Sequence, residues 1–214
     1  MRLPFSDIHT HTPGRPGSIL SVPAEKVGVV VAANLTKPDA EQQYYSIELH
    51  PWHLTADSIA TFESVVNQYR DDPHFVAIGE CGLDGLCATP LDLQLAAFRR
   101  ALQLARSLHK PVIIHCVKLW NELIRVVREI RSEYSEYSDF SEYSEYSDHS
   151  DLPSNLSNSS NPSYPYIVHG FRKGPQLARQ LLDAGFSISI GSRYNPEILP
   201  LIPPDRLYHE TDEE

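Results

Sequence analysis

No run of eighteen apolar residues occurs anywhere in the 214-residue chain, so the sequence offers no membrane-spanning helix. The opening stretch MRLPFSDIHTHTPG lacks the apolar core of a secretory signal. Cysteine is scarce as well. Cys81, Cys87 and Cys116 are odd in number and have no framework spacing, which excludes a disulfide scaffold and fits reduced thiols in the cytoplasm. Basic residues are also short, 18 against 28 acidic ones, for a net charge of −10. That deficit is local. Residues 132–163 hold seven acidic side chains and no Lys or Arg, and without them 21 acidic residues face 18 basic ones, a net charge of −3. A phosphodiester substrate is therefore not excluded, because the local field governs binding more than the total does. Length and a 41% hydrophobic share suit one packed domain with at most an appendage.

What is present is an alternation of short apolar runs and helical patterns. VGVVVAAN (27–34), YYSIEL (44–49), FVAIGE (75–80), PVIIHC (111–116), YIVHGF (166–171) and FSISIG (186–191) read as buried parallel strands, rich in Val and Ile. FSDIH supplies a first strand and RLYHET a last one. Ile59, Phe62, Val66 and Tyr69 form one helical stripe; Leu95, Phe98, Leu102 and Ala105 form another, opened by Thr89 as cap and Pro90 at the first helical position. Leu119, Leu123, Val126 and Ile130 make a third stripe, and residues 175–184 a fourth. The alternation predicts a parallel α/β fold, an open sheet or a barrel. Too few residues separate 34 from 44 for a full crossover helix, so helices are thin near the N-terminus. One segment breaks the pattern. Residues 132–163 repeat a Ser-acidic-Tyr unit and then turn into Ser and Asn, a composition that cannot bury a core. They read as a disordered low-complexity insertion, a tolerated repeat expansion rather than a phosphorylated docking loop. The folded domain then comprises residues 1–131 and 164–214.

The chemistry lies at the strand ends. His9 and His11 stand at i and i+2, so both rings leave one face of a strand and can grip one metal ion. Glu80, His115, His169 and Asp212 end four further strands. A lone His after an apolar run is more often a hydrogen-bonded core residue, but the same coincidence at five strands points to one site. The donors are N and O with no thiolate, which suits Zn²⁺, Mn²⁺ or Mg²⁺. In a (β/α) barrel this end of the strands is where active sites form.

DIHTH (7–11), LHPW (49–52), AIGECGLD (77–84), Gln94 and Phe98, KPVIIH (110–115), VHGF (168–171) and PPDRLYHETD (203–212) occur in order along nearly the whole chain. Together they resemble the TatD family of metal-dependent hydrolases, a branch of the amidohydrolase-like barrels. The resemblance implies a (β/α)8 TIM-type barrel, here incomplete at its C-terminus and with a reduced N-terminal helix complement. It implies two divalent ions: His9, His11 and Asp212 on one, His115 and His169 on the other, Glu80 bridging. It further implies that Asp212 doubles as general base and that the reaction cleaves phosphodiester bonds, with DNA as substrate. His50 matches the family's Gly-x-His-Pro element, although Glu48 replaces its glycine, and is expected beside the substrate. Lys118, Arg172, Lys173 and Arg193 follow strand ends and would meet phosphates, while Asp84 would brace a loop or a ligand His. Trp52 would stack on a base or pack on the rim.

Two related chemistries compete. The PHP phosphoesterases also begin with Asp-x-His-x-His but close with Asp-x-His, where this chain has Glu210-Thr-Asp212. An amidohydrolase acting on C–N or ester bonds would use the same metals. A binding relic with a decayed site is the remaining, non-enzymatic reading. All six ligand positions hold competent donors, which weighs against it.

Overall fold

The computed structural model describes residues 3–15, 17–38, 42–138 and 164–212. Eight parallel strands form one sheet: β1 (Asp7–Thr10), β2 (Ser18–Pro23), β3 (Tyr44–Leu49), β4 (Phe75–Asp84), β5 (Val112–Val117), β6 (Tyr166–Val168), β7 (Ser187–Ile190) and β8 (Leu207–His209). Each strand pairs with its neighbours in sequence, so the order runs from β1 to β8 without a crossover. The edges then meet. Thr211 N donates to His9 O at 3.3 Å, and the Asp7 carboxylate accepts from Thr211 N at 3.2 Å and Thr211 Oγ1 at 2.5 Å. The chain builds the expected TIM-type barrel, nearly closed by this clasp.

Among the described residues, five α-helices cover the outside: α1 (Val27–Asn34), α2 (Ser58–Gln68), α3 (Leu91–Ser107), α4 (Trp120–Ser138) and α5 (Pro175–Asp183). Phe62 and Val66 of α2, Phe98 and Leu102 of α3, and Val126 and Ile130 of α4 are buried against the strands, as their spacing predicts. No helix follows β1 among the described residues, in line with the thin N-terminal complement. Among the described residues, no helix is long and apolar enough to cross a membrane.

Three expectations are corrected. VGVVVAAN is a helix, α1, and the second strand is Ser18–Pro23 instead. A short run that is apolar up to its last residue, Asn34, carries no periodicity that separates helix from strand. In α1, Val27 is buried while Val29 is 72% exposed, a difference that residue type cannot reveal. Second, α4 continues to Ser138, past the expected insertion boundary at 132. A helix already nucleated extends cheaply into a stretch without Gly or Pro; the remainder, 139–163, lies outside the described residues. Third, α3 begins one residue later than expected, with Pro90 at the cap and no side-chain cap bond.

The interior of the barrel is a small apolar plug made of Ile8, Ile19, Ala77, Ile113, Ile167 and Tyr208. Side chains on one face of a strand recur every second residue. His115 and His169 therefore stand one inward step above Ile113 and Ile167, and Glu210 one step above Tyr208. The plug is the floor on which the polar site rests.

Candidate metal centre

Glu80 stands at the middle of the site because β4 is irregular there. Ile78 pairs with Val112 but Cys81 pairs with Ile114, so β4 spends three residues where β5 spends two. The extra residue changes which side chains face inward. Gly79 and Gly82 flank the carboxylate with φ +121° and +149°. A Cβ at these positions would lie 2.3 Å from Ile113 O and 2.0 Å from His115 O. Only glycine lets the two backbones approach so closely in this conformation.

Five imidazoles surround this one carboxylate. Glu80 Oε1 lies 2.8 Å from His115 Nδ1, 2.8 Å from His169 Nε2 and 3.0 Å from His50 Nε2. Oε2 lies 3.2 Å from His9 Nε2 and 3.7 Å from His11 Nε2. Asp212 reaches across the pair, with Oδ1 3.8 Å from His11 Nε2 and Oδ2 3.7 Å from His169 Nδ1. All six residues expected as ligands are thus brought together, and His50 joins them at the same distance from Glu80. The donor atoms fall into compact groups: His9, His169 and Asp212; His9, His11 and Glu80; His50, Glu80 and His115.

The arrangement fits divalent cations. His9 is fully buried, yet neither ring nitrogen makes a hydrogen bond, and Nδ1 of His169 makes none either. Burying such groups without partners is costly. Nitrogen and oxygen donors without thiolate are what Zn²⁺, Mn²⁺ or Mg²⁺ would take. Cys81 and Cys116 are buried free thiols and belong to no ligand group among the described residues.

The charges depend on one another. Burial pushes the Glu80 carboxyl up, but the charge on His169 and hydrogen bonds from His11, His115 and His169 hold it well below its ordinary 4.5. Burial pulls His169 down, but Glu80 overrides it and raises the imidazole from 6.5 to about 10. In metal-free protein the raised His169 stabilises the fold fully below pH 6.5, and that contribution is lost as pH rises through about 10. The depressed Glu80 stabilises it above pH 4.5 and loses its effect as pH falls through the lowered value. A divalent ion competes with the His169 proton. The gain in melting temperature on adding Zn²⁺ or Mn²⁺ to chelator-treated protein is therefore expected to widen between pH 6.5 and about 10. Thermal unfolding with and without chelator across that window measures it; a constant gain would contradict the competition.

Several bracing residues follow from the geometry. Asp84 Oδ2 accepts from His115 Nε2 at 3.1 Å, which fixes the tautomer and turns Nδ1 toward Glu80. The same oxygen accepts from Trp52 Nε1 at 2.6 Å, and Oδ1 accepts from Leu86 N at 2.7 Å. Gln94 of α3 clamps this loop: its Oε1 accepts from Asp84 N, and its Nε2 donates to Asp84 O and Thr89 O. Sequence reasoning missed Glu210, Ser21 and Glu48. Glu210 is buried, accepts from Gly170 N at 2.6 Å, and keeps Oε1 3.9 Å from His169 Nδ1. Its signal was the i, i+2 spacing to Asp212. Ser21 Oγ donates to Glu48 Oε2 at 2.8 Å and accepts from Glu80 N at 3.4 Å. Burial raises Glu48, partly offset by Ser21. Lys118, Arg172 and Lys173 are exposed beyond the ends of β5 and β6, and do not enter the cluster.

Comparison with known proteins gives a consistent picture. The model of the family described as TatD related DNase matches residues 19–213. A protein from Rahnella sp. (strain Y9602) named 3'-5' ssDNA/RNA exonuclease TatD is 31% identical over 173 residues, 77% of this chain and 54% of its own length. The metal-dependent hydrolase YabD of Bacillus subtilis (strain 168), itself uncharacterized, is 24% identical over 206 residues, 88% of this chain and 69% of its own. Among solved structures, the TatD homologue YjjV of Escherichia coli superposes with a TM-score of 0.69 at 20% identity, over 97% of this chain and 78% of that one. The chain spans about half the length of the Rahnella relative.

Proposed function

The chain belongs to the family of TatD related DNases, and from that membership we propose that it is a divalent-metal-dependent nuclease hydrolysing phosphodiester bonds, with single-stranded DNA as substrate. The observation that carries the reading is Glu80, whose two oxygens each face a different set of imidazoles. That is the disposition a bridging carboxylate needs. His9, His11 and Asp212 would hold one ion and His115 and His169 a second. Ions held there supply Lewis-acid polarisation of a phosphoryl oxygen and a nucleophilic water near neutral pH.

The protein's own residues supply the rest. Asp212 lies between the two imidazole groups and is placed to take the proton of the attacking water. His50, 3.0 Å from Glu80 Oε1, would face the substrate. Lys118, Arg172 and Lys173 sit on the rim, where exposed cations neutralise flanking phosphates. Three free thiols suit a reducing compartment such as the cytoplasm.

Hydrolysis of a labelled single-stranded deoxyoligonucleotide, with RNA, a small phosphodiester and a carboxylic ester alongside, tests the reading after metal analysis of the purified protein. Asp212→Asn is expected to lower kcat on DNA about a hundredfold or more. Wild-type protein inactive on every substrate with Zn²⁺, Mn²⁺ or Mg²⁺ supplied would leave a binding relic, and cleavage of the carboxylic ester alone would make it an amidohydrolase.

A further inference from the structure

We propose that Trp52, with Leu86 beside it in the same hydrogen-bonded frame, forms a stacking ledge for the nucleobase next to the scissile phosphate. The inference rests on the nuclease reading and deepens it. Trp52 follows β3 in a short 3-10 turn, Pro51–His53, and is 50% exposed; Leu86 follows β4 and is 66% exposed. Exposed aromatic surface beside a polar site offers a face on which a planar ligand can stack. Both are fastened to one carboxylate. Asp84 Oδ2 takes the indole N–H of Trp52 and Asp84 Oδ1 takes the backbone N–H of Leu86.

The fastening places the indole against the metal centre. Its ring centroid lies 4.9 Å from that of His50 and 5.8 Å from that of His115, both edge to face. A phosphate held at Glu80 would bring its adjoining base within reach of the indole. Every base has a π-face, so such a ledge grips single-stranded nucleic acid without reading its sequence. Because the indole is already held by Asp84, little side-chain freedom is lost when a base stacks. The polar end of the ring is committed to the protein, so what remains for a ligand is the apolar face.

The test uses metal-loaded protein carrying Trp120→Phe, which leaves Trp52 as the sole tryptophan of the two. Titration with a nuclease-resistant phosphorothioate oligothymidylate is expected to change Trp52 emission saturably. In parallel, Trp52→Ala is expected to raise KM for unmodified oligonucleotide about tenfold, the size of one lost stacked base, with kcat changed less than about threefold. Trp52→Phe keeps a ring and loses the N–H; a KM near wild type is expected for it. Unchanged emission, or a Trp52→Ala that lowers kcat and metal content while KM stays put, would show that Trp52 only positions Asp84 and overturn the ledge. Wild-type cleavage of the oligonucleotide in that case leaves the nuclease reading standing; its absence removes that reading instead.

Discussion

Glu80→Gln is expected to cost at least about a thousandfold in kcat, several kcal/mol of barrier at one power of ten per 1.36 kcal/mol. The substitution is nearly isosteric, so the fold around β4 stays. What changes is the charge and the donor pattern. A carboxylate that faces five imidazoles becomes an amide whose NH₂ points two hydrogens at ring nitrogens. Metal affinity is expected to fall more than the hundredfold typical of a bracing residue. Metal content measured after gel filtration, together with single-turnover cleavage, separates the two losses. Lys173→Ala is the contrast, since an exposed cation contributes about 1 kcal/mol or less, a change of about fivefold in KM. Equal losses from the two variants would remove the bridging role from Glu80.

Gly82→Ala is the second large effect, and it acts on the fold before the chemistry. The new Cβ would stand 2.0 Å from the carbonyl oxygen of His115, a backbone atom that cannot rotate away. Backbone strain at φ +149° and overpacking between paired strands together cost about 3 kcal/mol or more. Either β4 separates from β5 or the protein unfolds; in both outcomes His115 leaves Glu80. The expected result is a melting temperature many degrees lower even without metal, and no recovery of metal binding on cooling. Gly174→Ala is a fair control, because a Cβ there meets nothing within 4 Å. If Gly82→Ala melts like wild type, the close approach of β4 to β5 is wrong.

Much of the site was legible in the sequence for a simple reason. Buried parallel strands are apolar through their middle, so a His that follows such a run stands out, as His115 and His169 do after VII and YIV. Those strand ends then converge because a barrel leaves them no other place. The α1 segment was illegible for the converse reason: in VGVVVAAN every position before Asn34 is apolar or Gly, and burial differs along the run only once the rest of the fold is in place. Ser21, Glu48 and Glu210 act through contacts 27 to 59 residues away in sequence, and no local spacing announces them. Trp52 sits between these cases. Its place after His50 suggested the rim, but the bond to Asp84, 32 residues on, gives it a defined pose.

The clasp between Asp7 and Thr211 joins partners 204 residues apart, and it bears on when the protein becomes competent during synthesis. A chain growing from its N-terminus makes His9 and His11 early, on β1, while Asp212 comes only after β8. Contacts of such long range form late and slowly. Until β8 is made, the chain carries five of the six candidate ligands, lacks the Asp7–Thr211 clasp and cannot close the barrel.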